Sequence, residues 1–372
     1  MLVSIVPCSN YEICENAIRK ALKDINFEIK ENSKVLIKPN VLGGHSPELA
    51  VTTHPKIIES IVKICLEKKC DITIAENSGF YLDGGTNKAL EVSGIKEVAD
   101  KYDIKLINLE QIKIKKIIDD KAEIYKELEL PEIIFEQDLI INVPKLKTHT
   151  LMKYTGAVKN LYGIIPGGRK QILHNIGKSE SEFGKILVDI YQNIKPRLNI
   201  MDGIIGLEGN GPGSTGIPKK TGLILASASA PALDIVASGI IGYKEDEIYT
   251  TLYCKKRGLV EKPEIIGTIP KIPYKKPINM RPPGFILGWI MKQGAMTPYA
   301  IKKSCVRCGI CKKVCPVKAI GMKPYPKVDK KKCIHCYCCH ENCPHNAMDL
   351  KGSLIFETIK KAKNMVEKWS MH

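Results

Sequence analysis

Nine of the 14 cysteines fall between residues 305 and 343, in two groups with the same internal spacing. Each group has the pattern C-x2-C-x2-C-x3-C-P, and each cysteine of the second lies 28 positions after its counterpart, an internal duplication. This spacing is typical of bacterial proteins that hold two [4Fe–4S] clusters, in which the fourth cysteine of each group binds the other cluster. The predicted ligand sets are Cys305, Cys308, Cys311 and Cys343 for one cluster, and Cys333, Cys336, Cys339 and Cys315 for the other.

The short spacing suits a cubane better than a zinc ion. Three thiolates within seven residues can each bind one iron atom, while the short spacers turn backbone N–H groups toward the sulfides. Structural zinc, the alternative, takes four ligands in paired C-x2-C groups, which this pattern does not follow. Cys338 falls outside the repeat. We interpret it as a spare thiol, the alternatives being a substitute ligand or a redox sensor.

Upstream of the cysteines, apolar strand-like runs alternate with helical stretches. Apolar runs without polar interruption are typical of strands covered on both faces, so the pattern predicts an α/β fold with a wound, mostly parallel sheet. The predicted strands are Leu2–Val6, Lys34–Lys38, Asp71–Glu76, Lys105–Leu109, Asp138–Val143, Leu198–Met201 and Gly222–Ser227. The predicted helices are Tyr11–Lys23, Pro55–Lys69, Asn87–Lys101, Gly184–Asn193 and Pro231–Gly242.

The same patterns divide the chain into four segments. We predict an α/β domain over 1–270, a Pro-rich linker over 271–300, a small α+β ferredoxin-type two-cluster domain over 301–350 and an amphipathic C-terminal helix over 351–372. The linker contains an apolar stretch, Phe285–Met291, which we expect to pack between the domains together with Trp369. No apolar run approaches the roughly 18 residues of a membrane span, and the N-terminus lacks the features of a signal peptide. We therefore expect a cytoplasmic protein with no membrane span.

The formal net charge of +17 comes almost entirely from lysine, since only six of the 57 basic residues are arginine. Arginine supplies the planar donor fork that recognises phosphates and bases, so its scarcity argues against a nucleic-acid partner. Lysines are also in excess around the cysteine groups. Such a surface suits the docking of an acidic redox partner protein, the alternative being a solvated face with no partner.

Polar residues follow several of the predicted strands, where ligands of open α/β sheets bind. These residues are Lys38, Asn40, Glu76, Asn77, Lys145, Lys147, His149 and Asp202, joined by Lys159 and Asn160 from the next stretch. Crowded ammonium groups need an anion or paired acids, so we predict a site for a small anionic ligand. The glycine-rich segment 206–216 is expected to cover it as a loop. The alternative is that these residues only form turns.

Four motifs resemble one prokaryotic family. The segments KPN (38–40), TTHP (52–55), VPKLKTHTLMKYTGAVKNLYGIIPG (143–167) and MDGIIGLEGNGPG (201–213) are similar to the "domain of unknown function 362" family, which often carries an appended two-cluster ferredoxin module. The resemblance covers about residues 1–270, and the ferredoxin match covers about 301–350. It implies that the following are motif positions and candidate catalytic residues: Lys38, Asn40, His54, Lys147, His149, Lys159, Asn160 and Asp202.

Two functions are compatible with these patterns. In the first, the protein is an electron-transfer protein or redox enzyme whose clusters pass electrons to or from a small anionic substrate on the α/β domain. In the second, it is a binding or accessory protein with structural or sensory clusters. The sequence contains no phosphate-binding loop, dinucleotide fingerprint, zinc-protease motif or nucleophile elbow in a suitable context. We favour the first function because linked cluster pairs are the electron carrier's arrangement.

Overall fold

The computed structural model describes most of the chain, in two compact units. The first unit comprises Met1–Pro166 and Ile176–Ile278, and the second comprises Gly167–Asn175 and Asn279–His372. The described residues are 1–78, 85–167, 169–177, 179–213, 215–277, 297–313, 315, 317–333, 339, 343, 345 and 347–351. The predicted Phe285–Met291 packing segment, Trp369, the C-terminal helix, Cys336 and Cys338 lie outside these residues.

A ten-stranded sheet forms the centre of the described part of the first unit, in the order β12-β1-β11-β10-β7-β2-β3-β4, with β8 paired to β10 and β9 paired to β8. A separate hairpin joins β5 and β6. The strands are β1 Leu2–Pro7, β2 Lys34–Pro39, β3 Asp71–Glu76, β4 Lys105–Asn108, β5 Ile114–Ile118, β6 Glu127–Pro131, β7 Leu139–Val143, β8 Lys145–His149, β9 Lys153–Thr155, β10 Leu198–Gly209, β11 Gly216–Ser227 and β12 Glu264–Ile266.

Helices of the first unit flank this sheet, and their apolar faces supply much of the core. These helices are α1 Cys14–Asp24, α2 Pro55–Glu67, α3 Gly85–Val92, α4 Ile95–Lys101, α5 Ala157–Asn160, α7 Glu180–Ile194, α8 Ala230–Ile240 and α9 Tyr249–Lys256. The described helices of the second unit are α6 Arg169–Ile176, whose last residue belongs to the first unit, and α10 Ile310–Lys313. Among the described residues, no helix combines the length and the apolar character needed to cross a lipid bilayer.

The predicted α/β fold with a mostly parallel sheet is confirmed. Strands β10, β7, β2, β3 and β4 run parallel to their neighbours in that order, and β11 joins antiparallel between β1 and β10. Val35, Leu36 and Ile37 of β2 are fully buried, as expected for a strand covered on both faces. The carboxyl ends of β2, β3 and β7 therefore meet along one edge of the sheet.

Two segments that lie outside the predicted strands form strands in the structure. Residues 145–149 form β8, whose Lys145 is in register with Asp202 of β10. Strands β10 and β11 extend well beyond their predicted bounds and pair up to Gly209 and Gly216, so much of the expected covering loop belongs to these two strands. Gly206 lies inside β10, where a Cβ would approach the Leu146 carbonyl oxygen to 2.8 Å. Gly206 thus permits close packing of β10 against its neighbours.

Two further boundaries differ from the prediction. The helix predicted over Asn87–Lys101 is broken by Gly94, whose φ of 74° lies in the left-handed region and separates α3 from α4. The predicted linker begins at residue 271, yet the backbone N–H groups of Ile272 and Tyr274 donate to the carbonyls of Ile240 and Ile241. Its first residues therefore pack against the end of α8 in the first unit.

The described part of the second unit contains two small antiparallel pairs of strands. Strand β13 (Thr297–Ala300) pairs with β16 (Met348–Lys351), and β14 (Ile320–Met322) pairs with β15 (Pro326–Val328). Its described core consists of Cys311, Ile320, Cys339 and Met348. With strands this short, the cysteines themselves form a large share of what is buried.

Candidate functional site

The first ion pair of the site joins the ends of two adjacent parallel strands. Lys38 of β2 and Glu76 of β3 are both buried, and Lys38 Nζ donates to Glu76 Oε2 at 2.7 Å. The Glu76 carboxylate also accepts the backbone N–H groups of Val41 and Asn77. A Cβ at Gly163 would lie 2.5 Å from Glu76 Oε1 and 2.6 Å from Lys38 Nζ, so only glycine fits against this pair.

A second buried ion pair joins β8 and β10. Lys145 Nζ donates to Asp202 Oδ2 at 2.8 Å, and both side chains are fully buried. The Asp202 carboxylate also accepts the Tyr11 hydroxyl at 3.2 Å and the His54 backbone N–H at 3.0 Å. A buried charge pair is stable only when its remaining hydrogen-bonding capacity is used, and these contacts use it.

The rings of Tyr11 and His54 stack beside this pair, with their centroids 3.6 Å apart. Burial lowers the pKa of His54 to about 4, with Asp202 opposing the shift and Lys145 adding to it. Burial and the Asp202 charge raise the pKa of Tyr11. At neutral pH the stack is therefore uncharged, and His54 Nδ1 accepts the Lys56 backbone N–H at the start of α2.

Two more lysines of the site have no carboxylate partner in the described part of the chain. Lys147 of β8 is only 2% exposed, and its Nζ donates to the Val51 carbonyl at 2.7 Å. Burial holds the pKa of Lys147 well below the ordinary lysine value, and the ammonium groups of Lys159 and Lys145 add to this. Burial also lowers the pKa of half-buried Lys159, to about 8. Uncompensated positive charge in such surroundings favours an anion.

Four asparagines form a row of hydrogen bonds through the same edge of the sheet. Asn40 Nδ2 donates to Asn160 Oδ1, Asn160 Nδ2 to Asn142 Oδ1, and Asn142 Nδ2 to Asn199 Oδ1, at 2.8–2.9 Å. Asn199 Nδ2 ends the row on the Ser227 carbonyl. This amide row lies at the site, because Asn40 directly follows Pro39 in the sequence and Asn160 directly follows Lys159.

The segment 51–54 connects the parts of the site. Thr53 Oγ1 accepts the Asn40 backbone N–H and donates to the Val143 carbonyl. Together with the Val51 and His54 contacts, this segment touches both Lys147 and Asp202. Sequence reasoning did not assign roles to Tyr11, Val51, Thr53 or Asn142, although the TTHP motif (52–55) was an available signal for Thr53.

His149 differs from the other candidates. Its Nδ1 accepts the backbone N–H groups of Leu151 and Met152, at 3.0 and 3.2 Å. The ring thus stabilises the turn between β8 and β9. Of the remaining candidates, Lys159 is linked to the site through the effect of its charge on Lys147. The others belong to the contacts described above: Lys38, Asn40, His54, Lys147, Asn160 and Asp202.

In the second unit, four cysteines line one pocket. They are Cys305, Cys308, Cys311 and Cys343, the set that the spacing assigns to one cluster. The Ala319 and Ala347 N–H groups donate to Cys315 Sγ and Cys343 Sγ, each at 3.2 Å, a contact that suits thiolates. Among the described residues, no three His, Cys, Asp or Glu side chains converge on a single metal ion. An iron–sulfur cluster does not need its ligands to converge on one point, because each thiolate binds its own iron atom.

The pKa of Lys159 predicts how anion binding depends on pH. We expect sulfate, which does not titrate near neutrality, to bind more tightly below pH 8 than above it. Below its pKa of about 8 the Lys159 ammonium is charged in the free site, whereas above it binding must take up a proton. The dissociation constant should then rise about tenfold per pH unit. Isothermal titration calorimetry between pH 6.5 and 9.5 measures this.

The control for this prediction is Lys159→Arg, because the guanidinium stays charged throughout this range. Its profile should be flatter than that of the wild type. An identical pH profile in both proteins would show that Lys159 does not face the anion.

The chain matches two family models. Residues 35–239 match "Domain of unknown function (DUF362)" and residues 304–360 match "4Fe-4S dicluster domain". A relative from Synechocystis sp., described as "Thylakoid-associated protein sll1697", is 31% identical over 235 residues, which are 63% of this chain and 70% of that protein. Among solved structures, the lactate racemase apoprotein from Thermoanaerobacterium thermosaccharolyticum shares 13% identity at a TM-score of 0.41. That alignment covers 64% of this chain and spans 57% of the racemase chain.

Proposed function

Because the chain belongs to the domain of unknown function 362 family and is an iron–sulfur protein, we propose that it transfers electrons to or from a small anionic ligand. The ligand would bind in the first unit, at the site of Lys147 and Lys159. Two [4Fe–4S] clusters would be held by the eight cysteines of the repeat, and a redox protein would exchange electrons with them. A cytoplasmic location is part of this proposal, supported by the five free thiols of the first unit.

The observation that carries this proposal is the pair of lysines without a carboxylate partner. Lys38 and Lys145 have their carboxylates at 2.7 and 2.8 Å, so their charges are compensated. Lys147 and Lys159 have no carboxylate partner within the described chain, and protonation of the buried Lys147 amine is costly unless a ligand offsets the charge. A site that only stabilised the fold would gain from apolar side chains at these positions.

Each part of the site has a distinct task in this proposal. When bound, the clusters supply one-electron transfer. Lys147 and Lys159 attract and orient the anion, and the buried Lys145–Asp202 pair holds β8, the strand that carries Lys147. The Lys159 ammonium, with a pKa of about 8, can also give up a proton near neutral pH when the ligand gains electrons.

The test is a redox titration of the anaerobic holoprotein. We expect a low-potential donor to reduce the clusters reversibly, with electron paramagnetic resonance signals that return after each cycle. A panel of phosphates and carboxylates is then added to the reduced protein, and the reoxidation rate is followed. An active anion should accelerate reoxidation at least tenfold.

The matched variants are Lys147→Met and Lys220→Met, because Lys220 is an exposed lysine of β11. The first should abolish the acceleration while leaving the iron content unchanged, and the second should change neither. Clusters that cannot be reduced without loss of iron or unfolding would instead indicate a binding or accessory protein with structural or sensory clusters. The same panel is added to the oxidised protein, because a ligand that gives up electrons would reduce the clusters instead. No effect of any anion on either form would also contradict the proposal.

A further inference from the structure

The orientation of every amide in the asparagine row is fixed by a backbone carbonyl or by its neighbour. Asn160 Nδ2 donates to the Pro39 carbonyl, and Asn142 Nδ2 donates to the Ala157 carbonyl. Asn199 Nδ2 donates to the Ser227 carbonyl. Carbonyl oxygens accept only, so in each of these three side chains the nitrogen position is determined. The Oδ1 of Asn160 must consequently face Asn40.

The same constraint fixes the amide orientation of Asn40, the first residue of the row. Asn40 has to present Nδ2 to Asn160 Oδ1, because the flipped amide would place two acceptor oxygens against each other. Its own Oδ1 therefore points away from the row. That oxygen is buried and has no hydrogen-bond partner within the described residues. A buried acceptor is rarely left without a donor, so a donor beyond the described residues is expected.

The Thr52 hydroxyl is a second polar group at this edge of the sheet that has no hydrogen-bond partner among the described residues. Thr52 is fully buried, and its Oγ1 makes no hydrogen bond with the described residues. It lies between Val51, whose carbonyl accepts Lys147 Nζ, and Thr53, whose hydroxyl accepts the Asn40 N–H. The uncompensated ammonium groups and the two unsatisfied oxygens thus belong to one group of neighbouring residues.

We propose that the ligand of this site is an anion that also carries a hydrogen-bond donor, a hydroxyl or amino group, which binds Asn40 Oδ1. This inference rests on the proposed function for the anion site itself and adds the class of ligand. The lysines recognise the charge of the ligand, and Asn40 distinguishes ligands with a donor from those without one. A ligand that lacks the donor leaves the Asn40 oxygen buried and unpaired, which is the arrangement that discriminates most strongly between analogues.

The test uses matched pairs of small anions on the full-length holoprotein. The pairs are glycerol 3-phosphate with propyl phosphate, and 3-hydroxypropionate with propionate, each titrated calorimetrically at pH 7. We expect the hydroxylated member of at least one pair to bind ten or more times more tightly. In Asn40→Ala the ratio should fall to about one, while the plain anion keeps its affinity within about threefold.

Each outcome decides the inference. Equal affinities within both pairs in the wild type would overturn it, because a water molecule rather than the ligand would then satisfy the Asn40 oxygen. A ratio unchanged in Asn40→Ala would also overturn it, because the discrimination would then come from another residue. If neither pair binds, both this inference and the anion site of the proposed function fail. If discrimination is found but no anion reoxidises the reduced clusters, only the electron-transfer function fails. The wild-type comparison remains decisive even if Asn40→Ala does not fold.

Discussion

We expect the protein isolated without oxygen to contain about eight iron and eight sulfide ions per chain, and Cys311→Ala to lose about half of both. Cys311 is buried in the described core of the second unit and lines the four-cysteine pocket. Removal of one ligand leaves an iron atom of the cube without a thiolate. Iron and sulfide assays together with the 400 nm absorbance of the isolated variant measure the loss.

The same variant should also weaken the fold of the second unit. Its described strands have only three or four residues, and two of the four buried core residues are cysteines. Metal binding and folding are coupled in modules this small, so cluster loss should expose the backbone to proteolysis and amide exchange. The first unit, with its own core, should keep its protection.

Two substitutions serve as controls for the ligand sets. Cys338→Ser should retain both clusters, because Cys338 lies outside the repeat. Cys254→Ser changes a buried free thiol of the first unit and should also retain them. Iron loss in Cys338→Ser, or full iron in Cys311→Ala, would contradict the assigned sets.

The second large effect is expected from Asp202→Ala, which should lower the free energy of unfolding of the first unit by about 3–5 kcal/mol. The substitution leaves the fully buried Lys145 ammonium without its carboxylate and removes the acceptor of the Tyr11 hydroxyl and the His54 N–H. Urea unfolding followed by far-ultraviolet circular dichroism gives this quantity from the shift in midpoint at constant slope.

Two comparisons identify the cause of that loss. Asp246→Ala removes an exposed carboxylate and should change the stability by less than about 0.5 kcal/mol. The double variant Lys145→Met/Asp202→Leu removes both charges and should recover much of the lost stability. A change below about 1 kcal/mol in Asp202→Ala would mean that Lys145 finds other compensation.

The strands of the centre of the sheet could be predicted because their signal is local. The run Val35-Leu36-Ile37 is apolar without interruption, and β2 and β3 begin at the predicted residues. Strand β8 lacks this signal, since Lys145 and Lys147 are charged side chains typical of exposed segments. Their burial depends on Asp202, 57 residues away, and on the Val51 carbonyl, 96 residues away. Partners so distant in the sequence leave no local pattern.

The candidate site likewise contains residues that the sequence could predict and residues that it could not. Lys38 and Glu76 follow neighbouring parallel strands, so their meeting is a consequence of topology that the sequence already suggested. The contribution of Tyr11 could not be foreseen, because its short 3₁₀ helix at Tyr11–Ile13 precedes α1 and is placed by tertiary packing. His149 was predicted as a site residue from its place after a strand and from the family motif, yet its Nδ1 accepts two backbone N–H groups of a turn.

The amide row constrains which substitutions its four asparagine positions can accept during evolution. Its hydrogen bonds all run in one direction, from Asn40 to the Ser227 carbonyl, so the row has a single polarity. A change from asparagine to aspartate at any one position would replace a donor by an acceptor and oppose two like groups at the next link. Related sequences should therefore keep all four asparagines or replace them together. A substitution at one position of the row should be accompanied by compensating substitutions at the neighbouring positions.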